Sequence, residues 1–284
     1  MITGMPRIAI AVHDFESCVT TFANQLRMPV IDVSATSVAS LGAKLAMCVP
    51  AGGSNIELMS PADPAAPLSQ SLQRFLDRRG EGLFALMLEA PDPNAEADEL
   101  IQRGLNVLPL MPGAGGRDIH PASTHGVLIR VYPVNSFQES ADPAQAAGAP
   151  DARLSGIVRV VIAVNDLDHA ATVYGHGLGL AVEAPSLDTE RGVRSILCRP
   201  PAGGTIELVA PVDVDQPFAR SVRNFLDDRG EGMFALVLES DNLQESATAL
   251  QAEGLDVTTS ADSPDVLEIP RQNAFGALLR IEKG

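Results

Sequence analysis

Arg74 to Glu89 reads RFLDRRGEGLFALMLE, and 150 positions later Asn224 to Glu239 reads NFLDDRGEGMFALVLE. Each stretch leaves a helix, turns through Arg-Gly-Glu-Gly and enters an apolar strand. The same 150-residue offset relates Glu57 to Glu207, Ser71 to Ser221, Ala85 to Ala235, Gly104 to Gly254 and Arg130 to Arg280. The chain is a tandem duplication, and a chemical feature kept at one register in both copies has been tested twice.

Working outward, each half opens on an apolar run, Ile8 to Val12 or Val160 to Val164, followed by Asp14 or Asp166 at a helix N-cap position. Phe15, Cys18, Val19, Phe22 and Leu26 form a helical stripe that needs a sheet to cover it, as do Leu167, Ala170, Ala171, Tyr174 and Leu178. Short strands are expected near 30–33, 43–49 and 55–59, the last two separated by the Pro50-Ala51-Gly52-Gly53 turn. A helix over 68–79 leads to a second round: strand 84–89, helix 95–103 stopped by Gly104, and strands ending in 126–132. The reading is α+β, four βαβββ modules in two pairs: a first domain over 1–138, a linker over 139–153 rich in alanine with proline and glycine, and a second domain over 154–284.

Composition narrows the partners. The 284 residues are 45% hydrophobic, enough for two domains with their own cores. A net charge of −16 argues against nucleic acid and anionic membrane, which are held chiefly by lysine and arginine. Cys48 and Cys198 occupy matching positions in apolar strands and the cysteine count of three is odd, which reads as buried thiols in a reducing compartment. No apolar stretch approaches the roughly 18–20 residues of a membrane span, and Met1 to Pro6 has no charged segment followed by an apolar run, so a cytoplasmic location is expected.

Each half resembles the vicinal oxygen chelate superfamily (glyoxalase I, bleomycin-resistance proteins, extradiol dioxygenases), and within it methylmalonyl-CoA epimerase. The resemblance rests on RIAIAVHDFES (7–17), NIELMSPADPAAP (55–67) with TIELVAPVDVDQP (205–217), the Arg-Gly-Glu-Gly segments, and HPASTHGVLIR (120–130). It implies two glyoxalase-like cup domains, each built from paired modules with a divalent metal on the floor. Carried over position by position, the family's four ligands fall on Arg7, Glu57, Ala85 and Arg130, and on Arg159, Glu207, Ala235 and Arg280. One carboxylate among arginines is not a divalent-metal site, so no metal and no cofactor is expected. The epimerase's catalytic base falls on Leu45 and Ser195. His13, His120, His125, His169 and His176 have no counterparts at the repeat register and none falls on a cup-facing strand position, which favours surface histidines over a metal site.

Strand alternation turns Ile8, Ile10 and Val12 toward the helix and Arg7, Ala9 and Ala11 toward the cup. Asn55, Glu57 and Met59, then Ala85, Met87 and Glu89, then Leu128, Arg130 and Tyr132 face the same way. Each floor then holds two arginines and one glutamate. Two readings stay open: a structural plug replacing the metal, or a net positive site for a small anionic molecule carrying a carboxylate or phosphate. Glu57 and Glu207 are weak candidate bases, because flanking arginines depress a carboxylate's basicity. The glycines of Arg-Gly-Glu-Gly fit a helix stop better than a phosphate cradle.

The expected function is therefore metal-independent binding, with isomerisation or cleavage as an option, of a small carboxylate or acyl-CoA ligand by Arg7, Glu57 and Arg130 and by Arg159, Glu207 and Arg280. The alternatives are a metal-dependent methylmalonyl-CoA epimerase or lactoylglutathione lyase type of enzyme, and an antibiotic-sequestering resistance protein. The two halves are expected to pack as an internal pseudo-dimer, with homodimerisation of the whole chain left open.

Overall fold

A computed structural model describes residues 1–35, 41–136 and 154–284; the linker expected over 139–153 lies outside the described residues. In the first half, β1 (Gly4–Ala11) runs into α1 (Phe15–Thr20), whose start is capped by the Asp14 carboxylate accepting from Ser17 N. The helix continues as a π-helical turn over Thr21–Gln25. Then follow β2 (Val30–Asp32), β3 (Ala43–Cys48), β4 (Asn55–Pro61), α2 (Pro67–Arg79), β5 (Gly82–Ala90), α3 (Pro93–Gln102), β6 (Arg117–Ile119) and β7 (Leu128–Pro133). The sheet order is β2-β3-β4-β1-β5-β7-β6, so β1 and β5, the opening strands of the two modules, lie side by side and antiparallel. The second module's remaining strand is reduced to an isolated pairing of Val107 with Ile119.

The second half repeats the plan: β8 (Arg159–Ala163), α4 (Leu167–Thr172), β9 (Ala181–Val182), β10 (Ser186–Asp188), β11 (Val193–Arg199), β12 (Thr205–Pro211), α5 (Pro217–Arg229), β13 (Gly232–Ser240), α6 (Leu243–Ala252), β14 (Thr258–Thr259), β15 (Val266–Ile269) and β16 (Leu279–Lys283). Its sheet runs β10-β11-β12-β8-β13-β16-β15-β14, with β9 also on β11.

Alternation divides the faces as expected. Ile8, Ile10 and Val12 join Phe15, Cys18 and Phe22 in one apolar cluster, while Ala9, Ala11, Met59, Ala85, Met87 and Tyr132 belong to another. The concave face is partly filled by the helix between the modules: Leu68, Leu72 and Leu76 of α2 pack there, and Phe218, Val222 and Phe225 of α5 do the same in the second half. Gly80 and Gly230 end these helices at φ 70° and 73°, donating back to Leu76 O and Leu226 O, the stop that the sequence implied.

The helix-side faces of both halves contribute to a single apolar cluster that includes Leu105, Tyr174 and Leu178. Where the halves meet, the backbones touch through glycine. A Cβ on Gly126 would fall inside Glu231 O, and one on Gly276 inside Glu81 O, so only glycine fits either position. The glutamates of the two turns cap the strand-to-helix corners, Glu81 accepting from His13 N at 2.8 Å and Glu231 from Asn165 N at 2.7 Å. Among the described residues no helix is long and apolar enough to cross a membrane.

Candidate functional site

The first cup floor is set by strand register. Parallel pairing of β1 with β4 places Ala9 beside Glu57, and pairing of β1 with β5 places Arg7 beside Met87, which in turn lies beside Arg130 of β7. Arg7 Nε donates to Glu57 Oε2 at 2.9 Å, with both side chains 3% exposed. Arg130, equally buried, does not donate to that glutamate. Its Nε goes to Asp118 Oδ1 at 2.8 Å, because the antiparallel β6–β7 pair sets Asp118 directly opposite. Tyr132 lies between the guanidiniums, with Arg7 4.7 Å and Arg130 5.8 Å from its ring centroid. Burial lifts the Tyr132 phenol above its ordinary range against the pull of Arg130. Burial opposes the charge on Arg130, but Tyr132, Asp118 and Glu57 together hold it firmly protonated.

The second floor keeps Arg159, Glu207 and Arg280 but rewires them. Arg159 Nε lies 3.0 Å from Glu207 Oε2, and its Nη2 donates to Glu282 at 2.6 Å. Glu207's other oxygen takes Arg191 Nη2 at 2.7 Å, and Arg191 Nε reaches Asp188 at the same distance. Arg280 forks between Asp262 at 2.8 Å and Glu268 at 2.5 Å, with its guanidinium over the Phe218 ring. Burial raises the Asp262 carboxyl, but hydrogen bonds from Arg280 and Ser260 and the Arg280 charge outweigh it, leaving it below the usual range.

Two expectations are thereby corrected. Neither floor is a single Arg-Glu-Arg triad, since Arg130 and Arg280 take other acids. Nor is either floor net positive: the first balances Arg7 and Arg130 with Glu57 and Asp118. The second sets Arg159, Arg191 and Arg280 against Asp188, Glu207, Asp262, Glu268 and Glu282. The missed acids carried a signal, because Asp118 and Glu268 are acidic residues at the repeat register. Arg191 and Asp262 had none, their counterparts being Leu41 and Pro112.

The donor set does not suit a divalent metal. At the four ligand positions of each cup only Glu57 or Glu207 offers an anionic oxygen, and arginine occupies it. Among the described residues no three His, Cys, Asp or Glu side chains come together as a ligand set. Two histidines do meet, at the junction of the halves. His125 Nε2 lies 2.9 Å from His169 Nδ1, and His125 Nδ1 lies 2.9 Å from Glu231. Leu45 and Ser195, at the base position of the resembled epimerase, are buried; Leu45 has no acid–base chemistry, and the Ser195 hydroxyl lies 3.0 Å from Ser186 Oγ.

An open cavity of about 280 Å³ adjoins the first floor. Arg7, Asn55, Met47 and Glu89 line it from the first half, and Ala202 and Gly203 close it from the second.

The profile of the Glyoxalase/Bleomycin resistance protein/Dioxygenase superfamily matches residues 159–266. The chain is 26% identical over 170 residues to the mitochondrial methylmalonyl-CoA epimerase of Bos taurus, a span of 57% of this chain and 94% of that protein. A variant of 4-hydroxymandelate synthase from Streptomyces coelicolor superposes over 100% of this chain and 93% of its own, with a TM-score of 0.66 at 16% identity. A xylose isomerase-like TIM barrel/4-hydroxyphenylpyruvate dioxygenase fusion protein superposes over 100% of this chain and 49% of its own, with a TM-score of 0.64 at 12% identity. The second half carries the match to that superfamily, and the duplicated sequence and the paired-module sheets give the whole chain a two-domain glyoxalase-like fold.

Proposed function

We propose that this protein is a metal-independent small-molecule-binding member of its superfamily, taking a carboxylate-bearing or acyl-thioester ligand in the first cup. The observation that carries the reading is the position of Arg7, which both closes on Glu57 and lines the adjoining 280 Å³ cavity. A ligand carboxylate entering beside Asn55 would meet a guanidinium already oriented by Glu57 and stacked on Tyr132. Arg130 is the second cation of that floor, and Asp118, its partner, is the less deeply buried of the two.

The second cup is assigned a structural role. Its excess of acids would repel an anion, and Glu207 accepts from Arg191 through one oxygen while the other lies 3.0 Å from Arg159 Nε. Glu57 is likewise engaged, so neither glutamate is poised as a proton acceptor, which favours binding over isomerisation.

Likeness to a methylmalonyl-CoA epimerase makes methylmalonyl-CoA and free methylmalonate the first ligands to titrate calorimetrically. Arg7→Ala and Arg130→Ala should each abolish binding, whereas Arg159→Ala should retain it. Unchanged affinity in both first-cup variants would sink the assignment. Native mass spectrometry after purification with zinc, cobalt and nickel tests metal independence, and one stoichiometric metal per half would overturn it in favour of an epimerase or glyoxalase type of enzyme.

A further inference from the structure

A second cavity, of about 260 Å³, lies where the two halves meet, and its charge runs against the whole molecule. Five arginines line it: Arg74, Arg78 and Arg79 from α2, Arg229 from the end of α5, and Arg271. No aspartate or glutamate is among its lining residues, in a chain of net charge −16. Among the described residues none of the five arginines forms an ion pair, although the cup arginines all do. Helix-end electrostatics would account for Arg78, Arg79 and Arg229, which sit in last turns where a cation is favoured. Arg74 lies farther up α2, and Arg271 is on another segment, so that explanation leaves both over.

Arg271 is the most deeply set. It donates to two carbonyls, Gly276 O at 3.1 Å and Phe234 O at 2.7 Å, with its guanidinium over Phe225 and Phe234. Burial, and then the neighbouring charge of Arg229, push it down to about 10. Arg271 is thus half-buried beside the exposed Arg74, Arg78, Arg79 and Arg229, with no acid lining the cavity they share, an arrangement that an anion relieves.

The cluster is also not a by-product of duplication. At the repeat register Arg74, Arg78 and Arg271 correspond to Asn224, Asp228 and Pro121; only Arg79 and Arg229 are counterparts. The arginines converge from unequal positions because the halves pack, and Phe75, Phe84 and Phe225 supply apolar wall beside them.

We propose that this inter-half cavity binds a small phosphorylated molecule, its multivalent oxyanion held by Arg74, Arg78, Arg79, Arg229 and Arg271 and its organic part resting on the phenylalanines. Guanidinium forks match phosphate oxygens bidentately, and several around one cavity favour a multiply charged group over a single carboxylate. The site is separate from the first cup and does not depend on that reading.

The test uses inorganic pyrophosphate, with citrate as a carboxylate of comparable charge, titrated calorimetrically into the full chain at low and high salt. Pyrophosphate should bind one per chain, more weakly as salt rises. Arg74→Ala/Arg78→Ala/Arg79→Ala should weaken it by tenfold or more, about 1.4 kcal/mol per factor of ten. Arg74→Asn/Arg78→Asp copies what α5 already carries, guards against a folding artefact, and should weaken binding likewise. No binding of pyrophosphate at low salt, or undiminished binding by either folded variant, would overturn the proposal; citrate binding in place of pyrophosphate would overturn the phosphate assignment. Failure here is distinct from failure of the cup reading, which is judged on carboxylate and thioester ligands with Arg7→Ala.

Discussion

Asp118 and Arg130 stand directly opposite each other across the antiparallel β6–β7 pair and join at 2.8 Å, which takes Arg130 away from Glu57. Glu57 is left with Arg7 as its hydrogen-bonded partner on the floor, and the cup contains two neighbouring ion pairs instead of one charged triad.

That separation makes the Arg7–Glu57 pair open to a double-mutant test. Removing one member of a buried pair strands the other charge, so Glu57→Leu should cost about 3–5 kcal/mol in urea unfolding. Arg7→Met/Glu57→Leu should recover most of the loss, because an apolar pair of similar volume needs no solvation. A double variant as unstable as the single one would mean that the pair is not an isolated unit.

Asp262 predicts acid sensitivity of the second half. Its carboxyl is held below the unfolded value, so its contribution is present above roughly pH 4 and disappears as pH falls through the lower, folded value. Stability measured by denaturant between about pH 5 and 2 should fall in the native chain and fall less steeply in Asp262→Asn. Equal slopes would remove Asp262 from the acid response.

Gly126 and Gly80 both have positive φ, at 78° and 70°, yet they should respond differently to alanine. A Cβ on Gly80 meets open space, so Gly80→Ala should cost only the strain of holding alanine at φ 70° and ψ −167°, a region kept essentially for glycine, about 1–3 kcal/mol. A Cβ on Gly126 meets the Glu231 backbone of the other half, and Gly126→Ala should be more destabilising by thermal denaturation. Equal melting temperatures would show that the junction between the halves can give way.

Cys18, Cys48 and Cys198 are free and buried. Burial pushes the Cys198 thiol up to about 12 and raises Cys18 and Cys48 as well, so thiolate is scarce near neutral pH. A thiol reagent should label none of the three in the folded chain and all three in denaturant. Prompt labelling without denaturant would show local opening of the strands.

Much of the architecture was legible because its signals are local and repeated. Alternation along β1 placed Arg7 and Ala9 on one face and Ile8 and Ile10 on the other, and Gly80 and Gly230 marked where their helices stop. The recurrence of each residue type 150 positions on established the duplication without any structure. Charge pairing was not legible in the same way. Alternation states which face a side chain takes, but an ion pair needs two side chains within about 4 Å, and only strand adjacency and loop closure bring distant residues that near. Asp118 reaches Arg130, Arg191 reaches Glu207, and five arginines from both halves gather around one cavity because of how strands and halves pack. The sequence by itself determined the duplicated modules and the faces of their strands; the tertiary structure alone decided which charges neutralise one another and which are left to face a ligand.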